Sequence, residues 1–165
     1  MEITKFDFVN VDERARSLGC NIPTNLALLP RNFEVAEFKE NLLHESSAAT
    51  IRVLFRNNNI IETPLELKGE KFPHISEKAF VEWIGPTIFV SSALLSQNPH
   101  ILSLALGVIS NYLTDFFKGV PGVGKVKLDV VVETKKKTCK KIHYEGPVSG
   151  LEKLAEVVQE VVAGD

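Results

Sequence analysis

The sequence predicts an α+β fold: a small, mostly antiparallel sheet with a C-terminal β-hairpin–helix unit, packed against a central buried helix. Two stretches near the C-terminus, residues 126–133 and 138–144, alternate apolar and polar side chains with the period of a half-buried strand. Residues 151–162 then carry apolar side chains at helical spacing, and residues 100–118 are apolar around most of a helix circumference. Because 165 residues can bury a substantial core, we expect a single α+β domain over residues 1–165.

The two C-terminal strands are expected to pair as a hairpin, because only the short polar segment 134–137 separates them. In the second strand Ile142 and Tyr144 take one face, while Lys141 and His143 take the other. The first strand places four apolar residues on the face that we expect to be buried. They are Val126, Leu128, Val130 and Val132.

The last helix is predicted to begin after Ser149, because Ser149 and Glu152 have the spacing of a capping box. Gly146 and Pro147 end the strand before it, since Pro has no N–H to donate to a sheet. The apolar stripe of this helix can lie on the hairpin. It consists of Leu151, Leu154, Ala155, Val158, Val161 and Val162.

The central helix is predicted over residues 100–118, with Asn98 as its N-cap and Pro99 in its first position. Gly119 is suited to the position just past its end. Residues 87–90 read as a short buried strand, and residues 76–83 as a short helix capped by Ser76.

The N-terminal half gives weaker patterns. Residues 3–9 are expected to form a first strand and residues 11–18 one or two helical turns. Residues 34–43 are predicted to form a short helix, with Val35, Phe38 and Leu42 at helical spacing. Residues 46–61 fit both a helix and a strand, and we favour the helix; residues 64–73 are polar and turn-rich.

The aromatic residues of the middle segment are more consistent with a core than with a recognition patch. Trp83 stands in a turn-rich stretch with Phe72 and Phe80 nearby in sequence, and we expect these side chains to fill the core.

The overall composition is that of an ordinary globular chain, with 44% hydrophobic residues, 24% charged residues and a net charge of −2. The first residues carry charges where a signal peptide would be apolar, so we expect a cytoplasmic protein with Cys20 and Cys139 as free thiols. Residues 84–117 are rich in apolar side chains, but polar residues at 97–100 interrupt them, and we expect no membrane span.

Positive charge is concentrated in the hairpin. Residues 118–145 contain eight Lys and three acidic residues, a local charge of +5 that leaves −7 for the rest of the chain. Such a cluster is a candidate anion-binding or partner surface. Its members are Lys135, Lys136, Lys137, Lys140, Lys141 and His143. Because the hairpin contains no Arg and its Tyr144 is predicted to face the core, we expect no nucleic-acid partner.

No motif in the sequence carries a complete chemistry. Residues 119–125 match the spacing of a phosphate-binding loop, but Val126 stands where a Ser or Thr is needed, and a helix precedes the loop where a strand is needed. The lysines around Cys139 would favour its thiolate, without a base to activate it as a nucleophile. His44 begins a zinc-protease pattern that Ala48 interrupts. We therefore identify no catalytic residue, no metal ligand and no cofactor site.

These observations favour a non-enzymatic protein interaction and assembly module of a cytoplasmic protein, with self-association as a homo-oligomer. Two alternatives stay open. One is an enzyme or a small-ligand-binding protein whose site assembles from residues distant in sequence, in which Cys139 or His143 could take part. The other is an anion or nucleic-acid binder that uses the Lys-rich hairpin.

Overall fold

The computed structural model describes residues 1–76 and 82–164. They form an α+β fold around one mixed sheet, as the sequence predicts. Its strands are β1 Glu2–Phe8, β2 Leu26–Leu29, β3 Glu82–Ile84, β4 Thr87–Val90, β5 Lys125–Glu133 and β6 Cys139–Gly146. The strand order is β1-β6-β5-β4-β2, and β3 pairs with β5 beside β4. The pairs β1–β6, β5–β6 and β2–β4 are antiparallel, whereas β3 and β4 run parallel to β5.

Helices cover the two faces of the sheet unequally. The helices are α1 Val11–Leu18, α2 Ala48–Asn57, α3 Ser92–Gln97, α4 Ile101–Phe116 and α5 Leu151–Ala163. On the first face, α2, α4 and α5 bury a large core with side chains from all the central strands. On the second face, α1 and the loops after β2 cover only the part of the sheet around Phe89, Val131 and Cys139.

The C-terminal hairpin is confirmed. β5 and β6 pair antiparallel, with Val130 opposite Ile142 and Leu128 opposite Tyr144. All four of these side chains are buried under α5 and α4. Alternation along the strands therefore identified the face that makes the core.

The capping box at Ser149 is wrong. Ser149 lies inside a 3₁₀ turn, Val148–Gly150, and α5 begins at Leu151 with no side-chain cap. The amide of Gly150 donates to the carbonyl of Pro147, which also accepts the hydroxyl of Tyr144. These bonds turn the chain before the helix and leave Ser149 exposed. The apolar stripe of α5 is confirmed, with Leu151, Leu154, Ala155 and Val158 buried.

The start of the central helix also differs from the prediction. A separate short helix, α3, precedes it, and the amide of Asn98 donates to the carbonyl of Leu94. Asn98 therefore ends α3 instead of capping α4, and α4 begins at Ile101 without a side-chain cap. The Ser91 hydroxyl caps α3 by accepting from the Leu94 amide. The body of α4 is confirmed, with one side buried against α2 and α5.

Helix α2 resolves the ambiguous segment in favour of the helix. Ile51 and Phe55 are buried, whereas Val53 is 47% exposed, which is the pattern of one helical face. Asn59, at φ 59°, ends the helix: the amide of Ile60 reaches the carbonyl of Phe55, as in a Schellman motif.

Other predictions for the N-terminal half are mixed. The first strand and α1 are confirmed, but β2 was not predicted, because its four consecutive buried residues show no alternation. The helix over residues 34–43 is wrong: this segment is a loop with one 3₁₀ turn, Lys39–Asn41. The side chain of Asn32 donates to the carbonyl of Asn41 and accepts from the amide of Leu43. These two bonds close the segment into a loop.

The predicted helix over residues 76–83 falls largely on residues 77–81, which lie outside the described residues. Its last two residues belong to β3, where Trp83 is buried in the main core. Phe72 is buried on the second face, so these two aromatic side chains fill cores as predicted.

Candidate functional site

The uncovered half of the second sheet face is the candidate site, and we call it the open face. Strand register places its side chains together, and each of them is at least partly exposed. It consists of Glu2, Thr4 and Phe6 on β1, Lys141, His143 and Glu145 on β6, Lys125, Lys127 and Asp129 on β5, and Glu82 and Ile84 on β3.

His143 lies near the centre of the open face, between two carboxylates. Its Nδ1 is 2.5 Å from an oxygen of Asp129 and its Nε2 is 3.0 Å from an oxygen of Glu145. Partial burial opposes protonation, but the hydrogen bonds and charges of Glu145 and Asp129 outweigh it and raise the pKa of His143. With both ring nitrogens engaged, this imidazole has no free nitrogen for a general base or a metal ligand.

The lysines of the open face are also paired within the chain. Lys125 lies 3.3 Å from Glu145, and Lys127 lies 2.7 Å from Glu82, which raises the pKa of Lys127. The amino group of Lys141 stands over the ring of Phe6 at 5.3 Å. The open face therefore carries charges that compensate one another and one exposed aromatic ring, since Phe6 is 46% exposed.

The structure divides the Lys-rich surface that the sequence suggested. Lys141 and His143 lie on the open face, whereas Lys140 points to the other side of β6 and pairs with Asp7 at 2.5 Å. Lys135, Lys136 and Lys137 form the hairpin turn. Among the described residues, neither Lys135 nor Lys136 has an ion pair, so the lysines left without a carboxylate in this surface are at the tip.

Lys137 joins a polar cluster that the sequence did not reveal. Its amino group donates to the Ser92 hydroxyl at 2.9 Å and lies 3.8 Å from Glu133, which is buried. Glu133 accepts both the amide and the hydroxyl of Ser92, so it holds the first residue of α3. A cleft of 340 Å³ opens beside Ser92 and Glu133. Ser92 and Glu133 are 41 residues apart, and no local pattern links them.

The backbone at Lys137 is unusual. Its φ of +66° puts a non-glycine residue in the left-handed region, at the last position of the hairpin turn. Among the described non-glycine residues only Asn59 shares this region. Asn adopts the left-handed conformation more readily than most non-glycine residues, whereas Lys rarely does.

The expected thiolate at Cys139 is wrong. Although lysines flank it in sequence, their side chains point elsewhere, and the thiol is buried beneath α1. Burial raises the pKa of Cys139, and the nearby charges of Glu133 and Asp12 act in the same direction. Burial likewise raises the pKa of the Cys20 thiol.

A second buried polar cluster surrounds His44. The His44 Nε2 lies 2.6 Å from Glu66, and Arg52 bonds both Glu66 and Glu62. Burial would raise the pKa of Glu66, but the bonds from His44 and Arg52 keep it below its ordinary value. This cluster ties α2 to the loops on either side, and no local motif connects its members. Arg52 bridges both carboxylates and joins them in one hydrogen-bonded network, which favours a structural role.

Within residues 1–76 and 82–164, no group of three or more His, Cys, Asp or Glu side chains is arranged to hold a metal ion. In the same part of the chain no helix has both the length and the apolar character needed to cross a bilayer. A cleft of 440 Å³ lies between α4 and α5, and two of 500 Å³ lie beside Arg52 and beside Glu2 and Glu145; no histidine or cysteine lines any of these three.

Comparisons with known proteins identify no family that the chain resembles. No family model matches the chain, and no curated protein or solved structure shows significant similarity to it.

Proposed function

We propose that this chain is a non-enzymatic protein interaction and assembly module that associates with a second copy of itself through the open face and the adjoining edge of β1. The observation that carries this proposal is a half-covered sheet: the first face is sealed by three helices, whereas half of the second face is open. A broad, solvent-facing half of a sheet suits a macromolecular partner better than a small ligand, which needs a site that encloses most of it. The cleft of 500 Å³ beside Glu2 and Glu145 lies at the border of this face.

The charges of the open face support self-association over a strongly charged partner. The face carries lysines and carboxylates in alternation, and most are already paired within the chain. A surface with balanced charge exerts little net attraction on a polyanion or polycation, but it can lie against another copy without net repulsion. Phe6 supplies the exposed aromatic contact that such interfaces concentrate.

Sedimentation velocity over a range of protein concentrations tests the proposal. We expect the parent to show reversible association, and Phe6→Ser to weaken it. Val53→Ser is the matched control, because Val53 on α2 is 47% exposed and Phe6 is 46% exposed. A parent that stays monomeric at every concentration would contradict the proposal, and so would an equal loss in both variants.

The polar cluster at Ser92 supports a second candidate, an acyl-transfer enzyme with a site built from distant residues. Ser92 has a hydroxyl between a carboxylate and an amino group, beside a cleft of 340 Å³. Its hydroxyl is already used to hold α3, which favours a structural role. A fluorophosphonate probe would label the parent and spare Ser92→Ala if the enzyme hypothesis holds.

The Lys-rich hairpin is the third candidate, as an anion or nucleic-acid binder. Most of its lysines face carboxylates of the same chain, which leaves Lys135 and Lys136 at the tip. We expect no binding of DNA or RNA at physiological salt in anisotropy titrations. Binding that falls steeply with salt in the parent and is lost when Lys135, Lys136 and Lys137 are replaced by Ala would promote this hypothesis.

A further inference from the structure

The two edges of the sheet differ in how well they are covered. At one edge, β2 is buried along its whole length, and its outer side is bridged by the loop at Glu62, where the amide of Thr63 donates to Leu26. At the other edge, β1 pairs only with β6, and its outer side has no backbone partner among the described residues. β1 is therefore a seven-residue strand with a free edge, the kind that pairs with another chain unless it is blocked.

Charges on β1 do not block every form of pairing. Lys5 and Asp7 are exposed on the side of the sheet that carries the helices. Asp7 pairs with Lys140 of its own chain, but its side chain is 88% exposed and stays accessible to a second strand. In an antiparallel pair of identical strands, one register sets these opposite charges against each other. It is the register in which Phe6 lies on the two-fold axis.

We propose that a second copy of this chain adds to the free edge of β1, antiparallel and with Phe6 opposite the partner's Phe6. Lys5 then lies opposite Asp7 of the partner subunit, and Asp7 lies opposite Lys5 of the partner subunit. Thr4 lies opposite the partner's Phe8. This inference rests on the proposed assembly function and names the strand and the register that carry it.

Neighbouring registers lack this complementarity. Centring the pair on Lys5 sets two lysines against each other, and centring it on Asp7 does the same with two carboxylates. Like charges in directly opposed positions destabilise a strand pair, whereas opposite charges and aromatic pairs stabilise it. A pair centred on Thr4 leaves both charges without a partner across the strands.

The geometry also keeps the open faces together. Directly opposed residues in an antiparallel pair share one face of the sheet, so Phe6 and its counterpart meet on the open face. The two sheets become one continuous sheet of twice the width. The open faces lie on the same side of it and meet at Phe6, and the rest of each open face stays uncovered. An isologous contact of this kind closes after two copies, which predicts a dimer and no longer polymer.

A charge exchange tests the register. In Lys5→Asp and in Asp7→Lys, each dimer contains two like-charged pairs in place of two opposite ones, so we expect each variant alone to dimerise on the order of tenfold or more weakly than the parent. An equimolar mixture of the two variants restores opposite charges at both positions, and it should form a heterodimer. The double variant Lys5→Asp/Asp7→Lys should dimerise like the parent.

Sedimentation velocity and native mass spectrometry measure the parent, the two single variants, their mixture and the double variant, with circular dichroism to confirm that each is folded. Lys136→Asp is the control, because it makes the same charge change at the hairpin tip, away from the β1 edge, and should leave association unchanged. If the parent associates but the single variants do so equally well, this inference is overturned and the assembly function survives. If the parent does not associate at all, both fail. Failure of the mixed variants to form a heterodimer, with both folded, also overturns the register.

Discussion

Replacing Lys137 by Gly and by Ala measures the strain that the structure places in the hairpin turn. Lys137 adopts a φ of +66° at the last residue of the turn, where the amide of Lys137 donates to the carbonyl of Thr134. Both substitutions remove the amino group that reaches Ser92 and Glu133, so their comparison cancels that loss. They differ in how readily each residue enters the left-handed region.

The magnitude follows from two opposing effects. A non-glycine residue in the left-handed conformation costs about 1–2 kcal/mol, whereas Gly costs nothing there. Gly also has more conformational freedom in the unfolded chain, which normally makes it less stable than Ala by about 0.4–1 kcal/mol. The net expectation is that Lys137→Gly is more stable than Lys137→Ala by roughly 0.5–1 kcal/mol, the reverse of the usual order.

Lys136 provides the reference, since it is the neighbouring exposed lysine and its φ is not positive. There the usual order should hold, with Lys136→Ala more stable than Lys136→Gly. The difference between the two positions cancels the entropy of Gly and leaves the left-handed cost of about 1–2 kcal/mol. Urea denaturation of the four variants at a common m-value gives these free energies of unfolding. If Ala is as stable as Gly at position 137, the strain argument is refuted.

Three further predictions concern stability. The pKa of His143 is raised in the fold, so its stabilising effect is full below its unfolded pKa of about 6.5 and is lost as the pH rises through the higher folded value. His143→Gln should therefore destabilise the protein more at acidic than at alkaline pH in urea titrations. An equal loss of stability at both pH values would contradict the pairing of protonated His143 with Asp129 and Glu145. Ser91→Ala should cost about 0.5–2 kcal/mol by removing the cap of α3, whereas Ser149→Ala should leave the urea midpoint unchanged. Gly85→Ala should cost about 1–3 kcal/mol in thermal or urea unfolding, because its Cβ would lie 2.6 Å from the side chains of Leu128 and Trp83. An unchanged midpoint would contradict this prediction and show that these side chains move aside.

Features with a regular period were predictable from the sequence. The hairpin, α1, α4 and α5 carry apolar side chains at the spacing of their own secondary structure, and their burial follows from that spacing. The segment around Val35 and Phe38 shows the limit. These residues also have helical spacing, but in the structure they are 77% and 63% exposed on a loop held closed by Asn32. Periodicity predicts which residues could share one face of a helix, but it does not show whether that face packs against a core.

Helix ends were harder to predict than helix bodies. Asn98 and Ser149 both have side chains suited to an N-cap, but in each case a neighbouring turn uses the backbone first. Asn98 completes the end of α3, and Ser149 is inside a 3₁₀ turn. A capping side chain is a local signal, whereas the direction in which the chain enters the helix depends on what it packs against.

The candidate site was only partly predictable, because its members come from strands that lie far apart in the sequence. Lys141 and His143 were assigned to the outward side of the hairpin, and they lie there. Their neighbours on the open face come from other strands: Glu82 on β3 pairs with Lys127, and the ring of Phe6 on β1 lies under the amino group of Lys141. Only the pairing of β1 with β6 and of β3 with β5 brings these residues together, and no local pattern encodes that topology.

The residue pattern of β5 nevertheless indicates where the open face ends. From Val126 to Val130 the strand alternates strictly, so that Lys127 and Asp129 face outward, but from Val130 onwards every residue of the strand is buried. Strict alternation is expected where one face is solvated, and a continuous apolar run is expected where both faces are covered. Val131 is therefore the point at which the layer formed by α1 begins, and the polar residues before it mark the half of the sheet left without a cover. β6 repeats the change, with Cys139 buried and Lys141 and His143 half-exposed. Because Lys141 lies opposite Val131, the boundary on β6 is displaced by one pair of opposed residues from the boundary on β5. The part of the sheet that lacks a covering helix is thus the part whose sequence is adapted to stay uncovered in the monomer, with charges that compensate one another. A surface of this kind is stable against solvent, as the proposed pairing at the edge of β1 requires, because that pairing leaves most of both open faces uncovered.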